Sequence, residues 1–170
     1  MPPTPPFDRR QITGGDVEFF YDHTHPFANV FSSTINYGGS EYRSAEQAYQ
    51  SMKFNPEQDA HILEAIMQAT EAGQAKVISR TFSAHIRPGW NDIKFRIMIK
   101  IVLAKMEQHP EIAERLLNTG NRVLVEDAPD DPCWGMVTNE VGVVSGSNYM
   151  GRVLMFVRYI LQKREKVAEV

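Results

Sequence analysis

Glu46 and Lys53 place an acid and an amine seven residues apart in the segment Ser44-Ala45-Glu46-Gln47-Ala48-Tyr49-Gln50-Ser51-Met52-Lys53-Phe54. On a helix, seven steps of roughly 100° nearly close two turns, so both side chains leave one face with Tyr49 and Gln50 between them. A lysine amine adds to an electron-poor carbon once burial or a neighbouring cation lowers its pKa and frees the lone pair. A carboxyl group beside it can pair with the ammonium or carry protons for a leaving group. Each residue also has an ordinary explanation, since lysine is mostly solvated and a first-turn acid suits the helix dipole.

Other fragments add planar surfaces and anion contacts. Asp130-Asp131-Pro132-Cys133-Trp134-Gly135 combines acids and an indole in a loop shaped by proline and glycine. Trp134 can stack on a planar base while Asp131 hydrogen-bonds a sugar or steers a water, or Trp134 can plug the core. Trp90, after Arg87-Pro88-Gly89, carries the same two readings. Arg80 closes a predicted helix, and its fork suits a phosphate as well as a helix C-terminus. Gly146-Ser147-Asn148-Tyr149-Met150-Gly151 is a glycine-rich helix entrance whose backbone donors attract anions, but Asn148 stands where a dinucleotide fingerprint needs its middle glycine. The five histidines, at 23, 25, 61, 85 and 109, lack zinc-like spacing, so no metal is expected. No Gly-x-Ser-x-Gly elbow occurs and Cys133 has no adjacent histidine, which argues against serine or cysteine hydrolase chemistry.

The elements that must position these residues are mostly helical. Val17 to Tyr21 has strand character, and Phe27 to Phe31 with Ile35 to Tyr37 is expected to pair nearby before the Gly38-Gly39 turn. Ser44 caps a first helix running to about Phe54, with Gln47 completing a reciprocal box. Asn55-Pro56-Glu57 leads into a helix over His61 to Ala69, and Thr70 caps a short third helix ending near Arg80. Asp92 opens a long helix with Ile93, Ile97, Ile101, Val102 and Met106 on its apolar face, and Lys94, Arg96, Lys100 and Lys105 read as a solvated face. Pro110 and Glu111 begin the next helix, Gly120 stops it, Arg122 to Glu126 is a short strand, and a last helix spans about Met150 to Lys163.

At 170 residues the chain suits one compact, multihelical domain, mainly α with a small β component. The proline-rich opening sets residues 1–12 apart as a tail, leaving 13–165 as a single domain and 166–170 as a C-terminal tail. A single cysteine and no leader-like opening point to a reducing compartment, cytoplasmic or nuclear. No apolar run approaches a bilayer span, and a net charge of -3 excludes a protein that coats nucleic acid, so such contact is expected to be local.

The order and spacing of these fragments resemble the NADAR family, small N-glycosidases associated with NAD and ADP-ribose metabolism. The likeness runs from about Val17 to Leu161 and rests on Phe27-Ala28-Asn29, Glu46 with Lys53-Phe54, Arg80 and Trp90. It continues through Leu116 to Gly120 and Val125-Glu126, Asp131 with Trp134-Gly135, and Gly146-x-Asn148-x-x-Gly151 with Leu154-Met155 and Arg158. The chain departs from the family where Gln47 replaces a common histidine and where Met136 and Val137 follow the Trp-Gly pair.

The resemblance implies a mostly helical fold and cleavage of a carbon–nitrogen bond at a ribose-type anomeric carbon. Some members act on phosphorylated intermediates of riboflavin synthesis; others remove ADP-ribose from the exocyclic amine of guanine. By resemblance Glu46, Lys53, Trp90, Asp131 and Trp134 fall on site positions, with Arg80, Asn148, Gly135 and Asn29 on the substrate side. Glu46 or Asp131 would protonate the leaving amine, and Lys53 would hold the opened sugar as a Schiff base. ADP-ribosylated guanine, as a nucleotide or in nucleic acid, is the expected partner, with no cofactor, membrane or obligate protein partner. The alternatives are riboflavin intermediates and a non-catalytic ADP-ribose reader.

Overall fold

The computed structural model describes residues 7–8, 17–71, 73–138 and 143–168. It is mainly helical with short strands, as expected, and divides into two compact units: residues 1–28 with 111–170, and residues 29–110.

In the first unit, β1 (Phe7–Asp8) and β2 (Val17–Phe20) are followed, after the second unit, by α5 (Pro110–Leu117), β5 (Val123–Glu126), β6 (Met136–Thr138), β7 (Val143–Gly146) and α6 (Tyr149–Ala168). β2 and β5 run parallel, with Val17 opposite Val123 and Phe20 opposite Glu126. α6 packs on β5. Phe20, Leu124, Leu154 and Val157 are fully buried there. Arg158 of α6 donates to Thr119 Oγ1 and, at 3.0 Å, to the Arg122 carbonyl, so the turn that Gly120 makes at φ 59° is tied to the helix. β6 and β7 form an antiparallel ribbon with β1 on its far edge. The sequence reading assigned no strand to Met136 to Ser145 and took residues 1–12 as tail; each strand is too short and too poorly alternating to announce itself.

The second unit holds β3 (Ile35–Tyr37), β4 (Ser40–Tyr42), α1 (Ala45–Ser51), α2 (Ala60–Gln68), α3 (Gln74–Thr81), a 3-10 turn at Ser83–His85, and α4 (Trp90–Gln108). β3 pairs with β4 across the Gly38-Gly39 turn, whose two positive φ values of 61° and 86° match a tight hairpin. The expected pairing with Phe27 to Phe31 does not form, because the hairpin partner lies after the turn. α1 is buried along its whole length, against α2, α3 and α4. Ser44 caps it by accepting from the Gln47 amide at 3.2 Å. The reciprocal half of the box is displaced by one residue: Gln47 Oε1 accepts from Arg43 N at 2.7 Å, and its Nε2 donates to the Ile66 carbonyl at 2.8 Å, where α2 ends. Phe54, Ile62, Ile66, Ala69 and Ala75 form the core between α1, α2 and α3.

Three further boundaries moved. α1 ends at Ser51, not near Phe54, because the Asn55-Pro56 step disfavours continued helix. α3 begins after Gly73, and Thr70 does not cap it; the Gln74 side chain instead accepts from the Thr70 amide at 3.0 Å. α4 opens at Trp90 after left-handed Gly89, with Asp92 inside its first turn.

Lys105, read as solvated, is 1 % exposed, with its ammonium 5.4 Å from the centre of the Phe31 ring. Burial lowers its pKa from 10.5 to about 7. The unfolded chain therefore binds this proton more tightly than the folded one. Stability is missing below about pH 7 and is regained as pH rises towards 10.5. Chemical denaturation across this range should show Lys105→Met more stable than wild type near neutrality, with the advantage shrinking as pH rises. A pH-independent difference would contradict the buried charge.

Candidate functional site

The functional side chains of the second unit converge on α1 and the turn after it. Glu46 lies in the first turn of α1, 8 % exposed. Its amide donates to the Asn29 carbonyl at 2.9 Å, and its Oε1 accepts from Gln50 Nε2 at 2.7 Å. Lys53 follows the helix in a tight turn, its amide donating to the Gln50 carbonyl at 3.3 Å. That winding keeps it on the predicted stripe: its ammonium lies 5.4 Å from the centre of the Tyr49 ring. Trp90 is almost fully buried, its ring 5.2 Å from Tyr49 at a 54° tilt, so the two aromatics form one apolar wall. Of the two readings of Trp90, core plug and ring wall, the burial corresponds to the core plug.

The backbone of the lysine turn is clamped from a second element. Arg87 N donates to the Lys53 carbonyl at 2.9 Å, and Arg87 Nη2 donates to the Phe54 carbonyl at 3.0 Å. These are carbonyls that a helix end leaves without intrahelical partners. The Arg87 carbonyl in turn accepts from Trp90 N at 3.3 Å, so one residue joins the lysine turn to the start of α4. The sequence reading did not select Arg87; its only signal was the Arg-Pro-Gly run before Trp90, which does not disclose a partner 33 residues away.

Lys53 is half-buried, and burial lowers its pKa below 10.5. Glu46 opposes this, while Lys76, Arg80 and Lys94 add to it through charge repulsion. Arg80 is exposed in the last turn of α3, as predicted, and Lys94 lies one turn into α4, bonded to Asn91 at 3.1 Å. The arrangement presents an amine whose pKa is lowered by burial on an aromatic wall, with a carboxyl group on its own stripe and cations that favour an anionic ligand. Asn29 is nine-tenths buried, and its side-chain Oδ1 has no hydrogen-bond partner.

The remaining predicted residues lie in the first unit, on the loop between β5 and β6 and at the start of α6. Asp131 Oδ1 accepts from Trp134 N at 3.1 Å, folding its own loop, and the half-buried indole meets Tyr149 edge-on at 6.4 Å. The helix entrance departs from the anion-site reading. Ser147, Asn148, Tyr149 and Met150 donate their amides to the carbonyls of Pro132, Gly135, Cys133 and Trp134, at 2.7 to 3.3 Å. The donors expected for phosphate are thus consumed by the loop. Asn148 is 1 % exposed, with Nδ2 on the Leu124 carbonyl at 2.8 Å and Oδ1 accepting from Glu126 N at 3.1 Å. It braces β5 against α6. Gly135 packs where a Cβ would stand 2.4 Å from that of Ala128, so its role is close approach of backbone. Among the described residues no cluster of three or more metal-ligating side chains occurs, and no helix is long and apolar enough to cross a membrane.

Two measurements check these assignments. Asn148→Ala should destabilise the protein by about 2–4 kcal/mol in denaturant titration, having stranded two buried backbone groups; a stable variant with weakened phosphate binding would restore the anion role. Arg80→Gln should raise the pH at which Lys53 is labelled by pyridoxal phosphate and borohydride, because one repelling cation is gone. An unchanged labelling profile would remove Arg80 from the lysine's field.

Residues 18–162 match the NADAR domain family. N-glycosidase Npun_R5314 of Nostoc punctiforme is 34% identical over 143 residues, covering 82% of this chain and 89% of that protein. N-glycosidase YbiA of Escherichia coli is 31% identical over 132 residues, 78% of each chain. The riboflavin biosynthesis protein VVA0006 of Vibrio vulnificus is 36% identical over 148 residues, which span 85% of this chain and 38% of that longer protein. The NMR structure of E. coli YbiA aligns with a TM-score of 0.75 and 28% identity over 93% of this chain and 92% of that one. Nearly the whole described chain is thus accounted for by one set of relatives in sequence and in fold, and the protein belongs to the NADAR family.

Proposed function

We propose that this protein is an N-glycosidase that uses Lys53 as its nucleophile. The observation that carries the reading is the Lys53 amine, half-buried against Tyr49, with its pKa lowered by burial and neighbouring cations. The names of the relatives from Nostoc and E. coli support the reaction class. A ribosyl amine resists hydrolysis because its nitrogen leaves poorly unless protonated. Glu46 gives its proton to that nitrogen as the carbon–nitrogen bond breaks and the bonding pair stays on nitrogen. The Lys53 lone pair forms the new bond at the same carbon, and the lysine proton passes to water. As the ring opens its oxygen takes up a proton from water and the remaining lysine N–H proton is released, leaving an imine on Lys53. Water then adds to the imine carbon, the lysine amine departs, and the free sugar aldehyde is released. Glu46 is favoured over Asp131 as the proton donor because it shares a stripe with Lys53 and its charge acts on that amine.

For the substrate, we favour ADP-ribose attached to the exocyclic amine of guanine. Lys76, Arg80 and Lys94 all bear on the Lys53 amine, a surplus of positive charge that suits a diphosphate better than a single phosphate. The name of the Vibrio relative supports a second reading, a phosphorylated riboflavin intermediate.

Parallel assays on the two substrates decide between them. The wild type should release guanine-containing product from ADP-ribosyl-guanosine faster, and borohydride added during turnover should fix the sugar to Lys53 by mass spectrometry. Lys53→Ala should lose activity by about a thousandfold or more, a large share of covalent and acid–base catalysis combined. Robust turnover with no trapped sugar and an active Lys53→Ala would replace the lysine route by direct hydrolysis. Tight ADP-ribose binding with both substrates intact would make the protein a reader.

A further inference from the structure

Gln50 lies between Glu46 and Lys53 on the same stripe, and the mechanism above leaves it without a part. It is 2 % exposed, and its Nε2 donates to Glu46 Oε1 at 2.7 Å. Its own Oε1 is buried with no hydrogen-bond partner. Turning the amide over would bring its carbonyl oxygen against a carboxylate oxygen, acceptor on acceptor, so contact with Glu46 fixes the orientation. A glutamine present only for packing would satisfy both ends of its amide or be replaced by an apolar residue; here one end is sacrificed so that the other meets Glu46. The backbone of Glu46 is held independently, by the Asn29 carbonyl at 2.9 Å. The acid is thus fixed at two points, its main chain by Asn29 and its carboxyl group by Gln50.

We propose that Gln50 is the positioning residue of the proton donor. By occupying Oε1 of Glu46 it assigns Oε2 to carry the proton and points that oxygen along the stripe towards Lys53, where the scissile bond must lie. This inference rests on the N-glycosidase reading with Glu46 as the acid. Gln50 touches no reacting atom. It acts only through Glu46, so its removal damages departure of the nitrogen and leaves attack by Lys53 intact.

The test compares two N-ribosides that differ in their need for a proton. One has a guanine exocyclic amine as leaving group, which must be protonated. The other has a pyridinium nitrogen, which departs as a neutral base without a proton. Gln50→Met keeps the length of the side chain and lacks the donor. On the amine substrate it should lower kcat about a hundredfold, the lower end of general-acid contributions, with KM within about twofold. On the pyridinium substrate the loss should shrink to about threefold or less. Borohydride trapping of ribose 5-phosphate on Lys53, which involves no leaving nitrogen, should match wild type. Gln50→His, which restores an N–H donor, should recover at least about tenfold over Gln50→Met. If Gln50→Met does not fold, Gln50→Glu, of the same shape and without the donor when ionised, carries the same comparison. Equal losses on both substrates, or loss of trapping together with turnover, would reduce Gln50 to a packing residue and leave the glycosidase reading standing. A wild type that cleaves neither riboside and traps no sugar would sink the glycosidase reading itself, and this inference with it.

Discussion

An amine loses hydration when it is taken out of water, and a folded chain keeps one half-buried only if the backbone beneath it cannot relax. In the second unit that backbone is the turn after α1, and Arg87 holds it. Its amide and guanidinium occupy the Lys53 and Phe54 carbonyls, and its own carbonyl receives the amide of Trp90. The lysine turn, the Tyr49–Trp90 wall and the start of α4 therefore form one hydrogen-bonded assembly. Remove the clamp and Lys53 would swing to solvent, where its ordinary pKa would return.

The same economy governs the acid. α1 is seven residues long, short for a helix that must hold two functional groups in register, and it is stable only because every one of its residues is buried. Gln47 ties it to the end of α2, Ser44 caps it, and Asn29 accepts from the Glu46 amide. Several buried polar atoms in this region, Asn29 Oδ1, Gln50 Oε1 and Arg87 Nε, have no hydrogen-bond partner. Each costs stability. A fourth such atom, Ser79 Oγ, lies on α3; the other three belong to residues hydrogen-bonded to Glu46 or to the Lys53 turn, the pattern expected where folding energy has been yielded to a site.

The first unit solves a different problem. Four consecutive amides at the entrance of α6, Ser147 to Met150, donate to carbonyls of the β5–β6 loop. Asn148 and Gly135, chosen from sequence as ligand contacts, are the brace and the close-packing point of that junction. A glycine-rich helix entrance reads identically in sequence whether its amides face an anion or a loop carbonyl, because the backbone chemistry is the same and only the neighbour differs. Lys105 makes the parallel case for charge: its spacing matched the cationic face of α4, yet the helix buries that position beneath Phe31. Arg96 and Lys100 of the same set are exposed, as expected.

Local rules settle much of this protein. Helical periodicity placed Glu46, Gln50 and Lys53 on one stripe, the capping serine located the start of α1, and Gly38-Gly39 and Gly120 marked their turns, because each depends on residues within a few positions of one another. The order of fragments also identified the family. Tertiary structure alone decided which stripe was buried, that the hairpin partner of β3 lies after its turn, and that two apolar stretches near residue 140 become strands. It alone supplied Arg87 as the clamp on Lys53, and it gave the Gln50 amide to Glu46. Desolvation and long-range hydrogen bonds have no periodicity in the chain, so the chemical state of a side chain whose position was already legible had to wait for the fold.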